Sequence, residues 1–351
     1  MNRAEILAAI ADNRTLEGLD LSRVDLAGAD LTGGRFQGCR FHGTDLRGAN
    51  ILKTGFKNCD FSEARLDETD LTRVDFRKMK LCGAQLRGSR IHQTLMQDAD
   101  LSQADCTGAL FSWCLLQRAK LAGALLVNAK MEKALFNHAV LTGADLSGAD
   151  LVKAIFNGAD LTGVNFRGAS FFKVFFREAK LASQDFRRAR FSTVNAGGAD
   201  LSGADLSGAD ITYSTFMNAN LAEARLDGVK GRNSMFMGAI MDQASLVGAD
   251  LGQSFLGEAQ LSRANLTGAD LSHAVLTKAT CRAAVFKNAD CSYAAFDHAD
   301  LTGADFSKAN LFWAKMHRTI VEHTIFDGAD RTFIRGTDAD LAEAEDWRPP
   351  V

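Results

Sequence analysis

The side chains best equipped for chemistry in this chain are its seven histidines, its seven cysteines and its many aspartates. Zinc sites built from such residues use ligands a few positions apart, as in Cys-x-x-Cys pairs, and no two of Cys39, Cys59, Cys82, Cys106, Cys114, Cys281 and Cys291 stand so close. Aspartate recurs before leucine throughout, yet the sequence lacks the glycine-rich GGxGxD nonapeptide of calcium-binding β-rolls. Catalysis would need a nucleophile, a base and an orienting group converging in a pocket that excludes water. What these groups can do therefore depends on the element that carries them.

That element shows in Gly198 to Asp210, GADLSGADLSGAD, which repeats every five residues where helices repeat at about 3.6 and strands at about 2. With a central residue at Leu21, the frame steps by five through Leu26, Leu31, Phe36 and Phe41 to Phe326 without insertion or deletion, 62 consecutive units. Leu or Phe fills 49 centres and Ala stands two before the centre in 39, too regular for chance. One large and one small apolar residue per unit point inward while the polar positions face out and turn the chain. Four such turns close a square coil, and coils stacked roughly 4.8 Å apart would form a filled tube of about 15 coils, about 75 Å long. Only two prolines occur, Pro349 and Pro350, so no backbone donor is lost to the ladder before them.

Helical caps are expected at both ends. Arg3 to Ala11 places Ile6, Leu7 and Ile10 on one face, and Asp338 to Trp347 offers an aspartate N-cap with Leu341 and Trp347 to cover the last coil. The expected division is residues 1–20 as an amino-terminal cap, 21–330 as the coil and 331–351 as a carboxyl-terminal cap or tail.

Units such as ADLSG, repeated over nearly the whole chain, resemble the pentapeptide repeat family. The resemblance implies an all-β fold, a right-handed quadrilateral β-helix, and it does not single out one function. Some members of that family bind DNA gyrase by imitating the shape and charge of DNA; others accompany bacterial secretion machinery.

Sorting by side of the square assigns the reactive groups. Six cysteines fall on inward positions, as small hydrophobes, and only Cys82 faces out; Cys39 and Cys59 stack one coil apart, where a disulfide is conceivable. The histidines His42, His92, His138, His273, His298, His317 and His323 all fall at outward turns and read as solvated. No catalytic residue, metal or cofactor is expected. Ala196 and Gly231 are the only small centres and Gln184 the only long amide in a small slot, which points to packing relief or a ligand cleft.

The outer surface carries the more informative departure. On the fourth side, which contains Phe36, the residue before the centre is Leu95, Leu115, Leu135, Ile155 and Phe175, then Asn195 and Thr215, then Met235, Phe255, Val275 and Ala295. The other sides usually place Asp, Asn, Lys or Arg there. The adjoining corner adds Trp113, Val152, Phe172 and Tyr213, and further on Tyr293, Phe312 and Trp313. A contiguous apolar strip marks an interface unless the corners relax and tuck these side chains inward. Nearer the amino end the same corner is basic, with Arg35, Lys53, Lys57, Arg73, Arg77, Lys78 and Arg90, either a solvated face or a site for phosphate or an acidic partner. No aromatic residues interleave there to stack bases, so nucleic acid is an unexpected partner.

Composition supports this reading. Forty Lys and Arg against 43 Asp and Glu give a net charge of -3, which suits neither a strongly basic nucleic-acid binder nor a strongly acidic mimic. No apolar run approaches the roughly 20 residues of a membrane span, and the amino end lacks the layout of a secretory signal, so a cytoplasmic protein is expected, with a signal-less export route left open. The function expected is that of a non-enzymatic bacterial interaction scaffold binding a protein partner or a second copy along the fourth side. The resemblance extends to accessory proteins of type VI secretion systems. The alternative is a gyrase-binding DNA mimic, for which Asp25, Asp45, Asp145, Asp185 and Asp205 on the second side offer acidic positions interrupted by Arg47, Arg65, Arg87, Arg167, Arg187 and Arg225.

Overall fold

Residues 1–347 are described in the computed structural model, so Pro349 and Pro350 lie outside the described residues. The chain forms two compact units, Met1–Lys180 and Leu181–Val351. The first holds helix α1 (Arg3–Ala11) and the short strands β1 (Thr15–Glu17), β2 (Arg35–Gln37), β3 (Gly55–Lys57), β4 (Arg90–His92) and β5 (Leu110–Ser112); the second holds helix α2 (Ala339–Asp346). Strands pair in parallel with residues twenty apart in register, Leu16 with Phe36 and Phe36 with Phe56. Elsewhere each side contributes one bridged residue, such as Asp25 with Asp45 in the first unit and Asp185 with Asp205 in the second. In the first unit the ladder begins at Thr15, inside the segment expected to be cap, and in the second the last bridge joins Lys315 to Arg335, beyond the boundary expected at 330.

The unit centred on Leu146 shows why the period is five, because each of its five backbone N–H groups has its own acceptor. Leu146 and Gly148 donate to the next coil, at Asn165 O (2.8 Å) and Arg167 O (2.9 Å), and Asp150 donates to the previous coil at Ala129 O (2.9 Å). Ala149 closes the turn onto Leu146 O at 3.0 Å. The fifth, Ser147, donates to the Asp145 carboxylate at 2.8 Å. Aspartate before the centre is thus a local cap for an otherwise orphaned amide. Gly148 sits at φ +67°, the left-handed third position of a type II turn, which glycine adopts without strain.

Inside, centres and small residues are buried in both units. Phe136 and Phe156 stack at 4.8 Å between ring centroids, as do Phe286 and Phe306 at 4.4 Å. Hydroxyls in small slots bond carbonyls of the previous coil, as Thr94 does to Leu71 O and Ser234 to Ile211 O, both at 2.7 Å. The space beside Gly231 is filled: an added Cβ would lie 2.8 Å from Leu251 and 3.3 Å from Ile211. Neighbouring side chains thus occupy the Gly231 position, which leaves no cleft there; Ala196 and Gln184 are likewise buried.

Helix α1 begins with a capping box, Asn2 accepting from the Glu5 amide at 3.0 Å and Glu5 from the Asn2 amide at 2.9 Å. Its Ile6 and Ala9 are buried, and Ile10 lies against Gly34 of the first coils. Helix α2 departs from expectation. Asp338 caps it, but none of its side chains is buried, Leu341 is exposed and Trp347 is 68% exposed. Polar ties hold α2 to the side of its unit, and Ile320, Val321 and Ile325 of the last coil stay exposed.

The capping carboxylates make stability pH-dependent. Bonds from the Thr32 hydroxyl and amide hold Asp30 below its ordinary range, and Thr332 does the same for Asp330. A depressed folded pKa contributes stability above the unfolded value of about 3.9 and loses it as pH falls through the folded value. The melting temperature followed by circular dichroism should be flat from neutral pH to about 5 and drop below about 4. Equal melting temperatures at pH 3 and pH 7 would contradict this role for the caps.

Candidate protein-docking face

The fourth side is built by the same ladder, with apolar residues in the capping position. In the first unit Leu95, Leu115, Leu135, Ile155 and Phe175 bridge in succession. The aliphatic members are half-buried and Phe175 is exposed. At the adjoining corner Trp113 is 49% exposed and Phe172 50% exposed, while Val152 is half-buried. Trp113 and Phe172 therefore point out; left-handed turn geometry at Trp113 (φ +59°) keeps its side chain at the corner. Lysines lie over both rings, Lys133 Nζ at 3.9 Å from the Trp113 centroid and Lys173 Nζ at 5.3 Å from that of Phe172.

In the second unit Thr215, Met235, Phe255, Val275 and Ala295 bridge in succession, with Met235 and Phe255 exposed and Val275 half-buried. Tyr213 is 66% exposed. Tyr293 stacks on His273 at 4.7 Å and meets Phe312 edge-on at 5.7 Å. Phe312 and Trp313 are half-buried, and the Arg335 guanidinium covers Trp313 at 4.6 Å. The two stretches differ: in the first unit four of the five row residues are aliphatic and the corner is edged by lysines, while the second is aromatic and methionine-bearing.

Replacing the cap has a backbone consequence. On this same side Asp75 accepts from the Arg77 amide and Asn195 from the Gly197 amide, both at 3.1 Å. Leucine and isoleucine offer no acceptor to the amides of Gln97, Gln117, Asn137 and Asn157. Asn157 shows a substitute, its Oδ1 accepting from the Arg177 amide one coil on at 3.2 Å. Gln97, Gln117 and Asn137 occupy the equivalent position, each with a buried amide oxygen that has no donor among the described residues. This amide column was missed in the sequence, although the same sorting by side reveals it.

The basic cluster is partly engaged. Arg35 donates to the Asn13 carbonyl, Arg73 to Gln93 Oε1 at 2.9 Å, and Arg77 pairs with Asp75 at 2.5 Å. Lys53, Lys57, Lys78 and Arg90 are exposed.

Six of the seven thiols are enclosed, and Cys82 is half-buried. Burial pushes Cys106 and Cys281 up, and Cys114 up to about 12; Cys39 and Cys59 donate to the carbonyls of Leu16 and Phe36.

His317 corrects the expectation of seven solvated histidines, because it is buried where α2 docks. Its Nε2 lies 3.3 Å from Glu345 Oε2, His298 Nε2 lies 3.2 Å from Glu345 Oε1, and Arg318 Nε lies 3.1 Å from Glu345 Oε2. The two rings meet edge-on at 5.3 Å, so these histidines are neighbours in successive coils. Two imidazoles and a carboxylate could hold a transition metal. Here, however, His317 Nδ1 accepts the Asp338 amide at 3.1 Å, which leaves the ring proton on Nε2 and directs it to Glu345. A metal-ligating histidine uses its second nitrogen as a donor instead. With Arg318 already against the carboxylate, the cluster acts as a proton-bearing tie for α2.

In each unit, parallel bridges between residues twenty apart and a turn every five residues define a repeat protein of the β-solenoid class. The chain belongs to the pentapeptide repeat family: models described as Pentapeptide repeats match within residues 15–48, 36–80, 94–168 and 175–318. Members of this family fold as right-handed quadrilateral β-helices. Similar solved structures include a trypsin-treated variant of QnrB1, a plasmid-mediated fluoroquinolone resistance protein, at 23% identity over 44% of this chain and 81% of that one, with a TM-score of 0.40. A pentapeptide repeat protein of the Arabidopsis thaliana thylakoid lumen is 34% identical over 25% of this chain and 61% of that one, with a TM-score of 0.25. HetL, involved in heterocyst differentiation regulation in the cyanobacterium Nostoc sp. strain PCC 7120, is 24% identical over 94% of each chain, with a TM-score of 0.15. A search of curated proteins returns no match. Among the described residues no helix is long and apolar enough to cross a membrane.

If the Glu345 tie holds α2, Glu345→Ala should raise amide hydrogen exchange across 339–346 several-fold and leave the coil amides unchanged. Unchanged exchange in α2 would mean that other contacts hold it.

Proposed function

We propose that the chain is a non-enzymatic bacterial interaction scaffold that docks a protein partner on the apolar fourth side. The observation that carries this reading is the apolar row, half-buried to exposed, in positions where the backbone favours aspartate or asparagine. Giving up a cap costs on the order of 1 kcal/mol, and a half-exposed leucine recovers only part of its burial. Local rules broken repeatedly on one side mark a functional surface. The setting we propose is accessory service to a type VI secretion system in the cytoplasm, supported by the resemblance of the sequence to such accessory proteins. A second copy of the chain is one partner compatible with this surface.

Gyrase-directed DNA mimicry has less support. Asp45 is shared between Arg47 at 2.7 Å and Arg65 at 3.1 Å, and Asp185 pairs with Arg187 at 2.6 Å. Acidic groups committed to arginines and turn amides do not present a phosphate-like ribbon.

A photo-crosslinking amino acid placed at Leu135 should give a discrete adduct in bacterial cells, while the same group at Asn165 on the second side should give none. An adduct of twice the chain mass identifies self-association, and any other mass a different protein. Equal adducts from both sides, or none from Leu135, would overturn the docking face.

A further inference from the structure

Resting on the docking-face reading, we infer that the partner of the first unit's stripe is an acidic amphipathic α-helix. Spacing provides the first argument. Stripe residues recur once per coil, about 4.8 Å apart, whereas same-side residues of an extended strand recur at roughly 6.7 Å and fall out of step within two coils. A helix turns every 5.4 Å or so, and anchors alternating three and four residues apart stay within about 2 Å of the stripe across its four steps. Leu95 to Phe175 spans roughly 19 Å, the length of about 13 helical residues.

Charge provides the second. The corner beside the stripe carries Lys133, Lys153 and Lys173 in successive coils, in the same column as Lys53 and Arg73 but separated from them by Gln93 and Trp113. The first unit holds 24 basic and 21 acidic side chains, the second 16 and 22. The equivalent corner of the second unit reads Tyr213, Asn233, Gln253, His273 and Tyr293, with no cation. A lysine-edged aliphatic strip complements a helix with an apolar face and Glu or Asp along one margin. Two copies of it would set lysine columns against each other, which disfavours self-pairing of this unit.

The test uses the full chain and a fluorescent 14-residue peptide stapled as a helix, with Leu at i, i+3, i+7 and i+10 and Glu along one edge. Its charge-reversed Lys counterpart and phosphatidylglycerol vesicles serve as competing probes. The Glu peptide should bind roughly tenfold more tightly than the Lys peptide, the combined effect of three exposed ion pairs. Lys133→Glu, Lys153→Glu and Lys173→Glu together should reverse that preference, Phe175→Asp should weaken both peptides, and Met235→Asp with Phe255→Asp should change neither. Equal affinity for the two peptides, or binding to vesicles alone, overturns the inference. If the peptides fail while the Leu135 adduct persists, the docking face stands and the acidic helix does not; if both fail, the face itself falls.

Discussion

The constraint on which this molecule depends is the need to give every backbone amide an acceptor in a chain that turns every five residues. Three of the five amides reach neighbouring coils, one closes its own turn, and one has only a side chain to bond, as the unit around Leu146 shows. Aspartate, the turn glycine and the small inward residue each answer one part of that demand. The repeat is the list of those answers written out along the sequence.

A departure at a capping position therefore has a physical meaning that an exposed leucine elsewhere would lack. On the fourth side the first unit gives up successive caps, and the amide column of Gln97, Gln117, Asn137 and Asn157 replaces only part of what is lost. The surface gained is apolar and stiff, since each stripe residue is bridged to the next. Rigidity suits recognition, because little order is lost on binding.

The coil was legible in the sequence because each position's role is settled within five residues and confirmed one coil away. The same counting located the stripe, the basic corner and the inward cysteines. It could not settle whether Trp113 and Phe172 stand out or tuck in, which depends on turn geometry and on the lysines above them. The helix α2 and its Asp338 cap were legible, but not where the helix docks, because no period operates there. His317 is buried by a helix whose position follows from one carboxylate shared among His298, His317 and Arg318, a contact the frame does not encode.

The twenty-residue register has an evolutionary consequence. Duplicating or losing a single unit leaves the hydrogen bonds intact but turns everything downstream by one side, so an aligned surface row would be split across two sides. Only whole coils can be added or removed without scattering it. The run from Leu95 to Phe175 keeps one register throughout, each residue bridged to the one twenty positions on, so removing any single unit within it would divide the row between two sides.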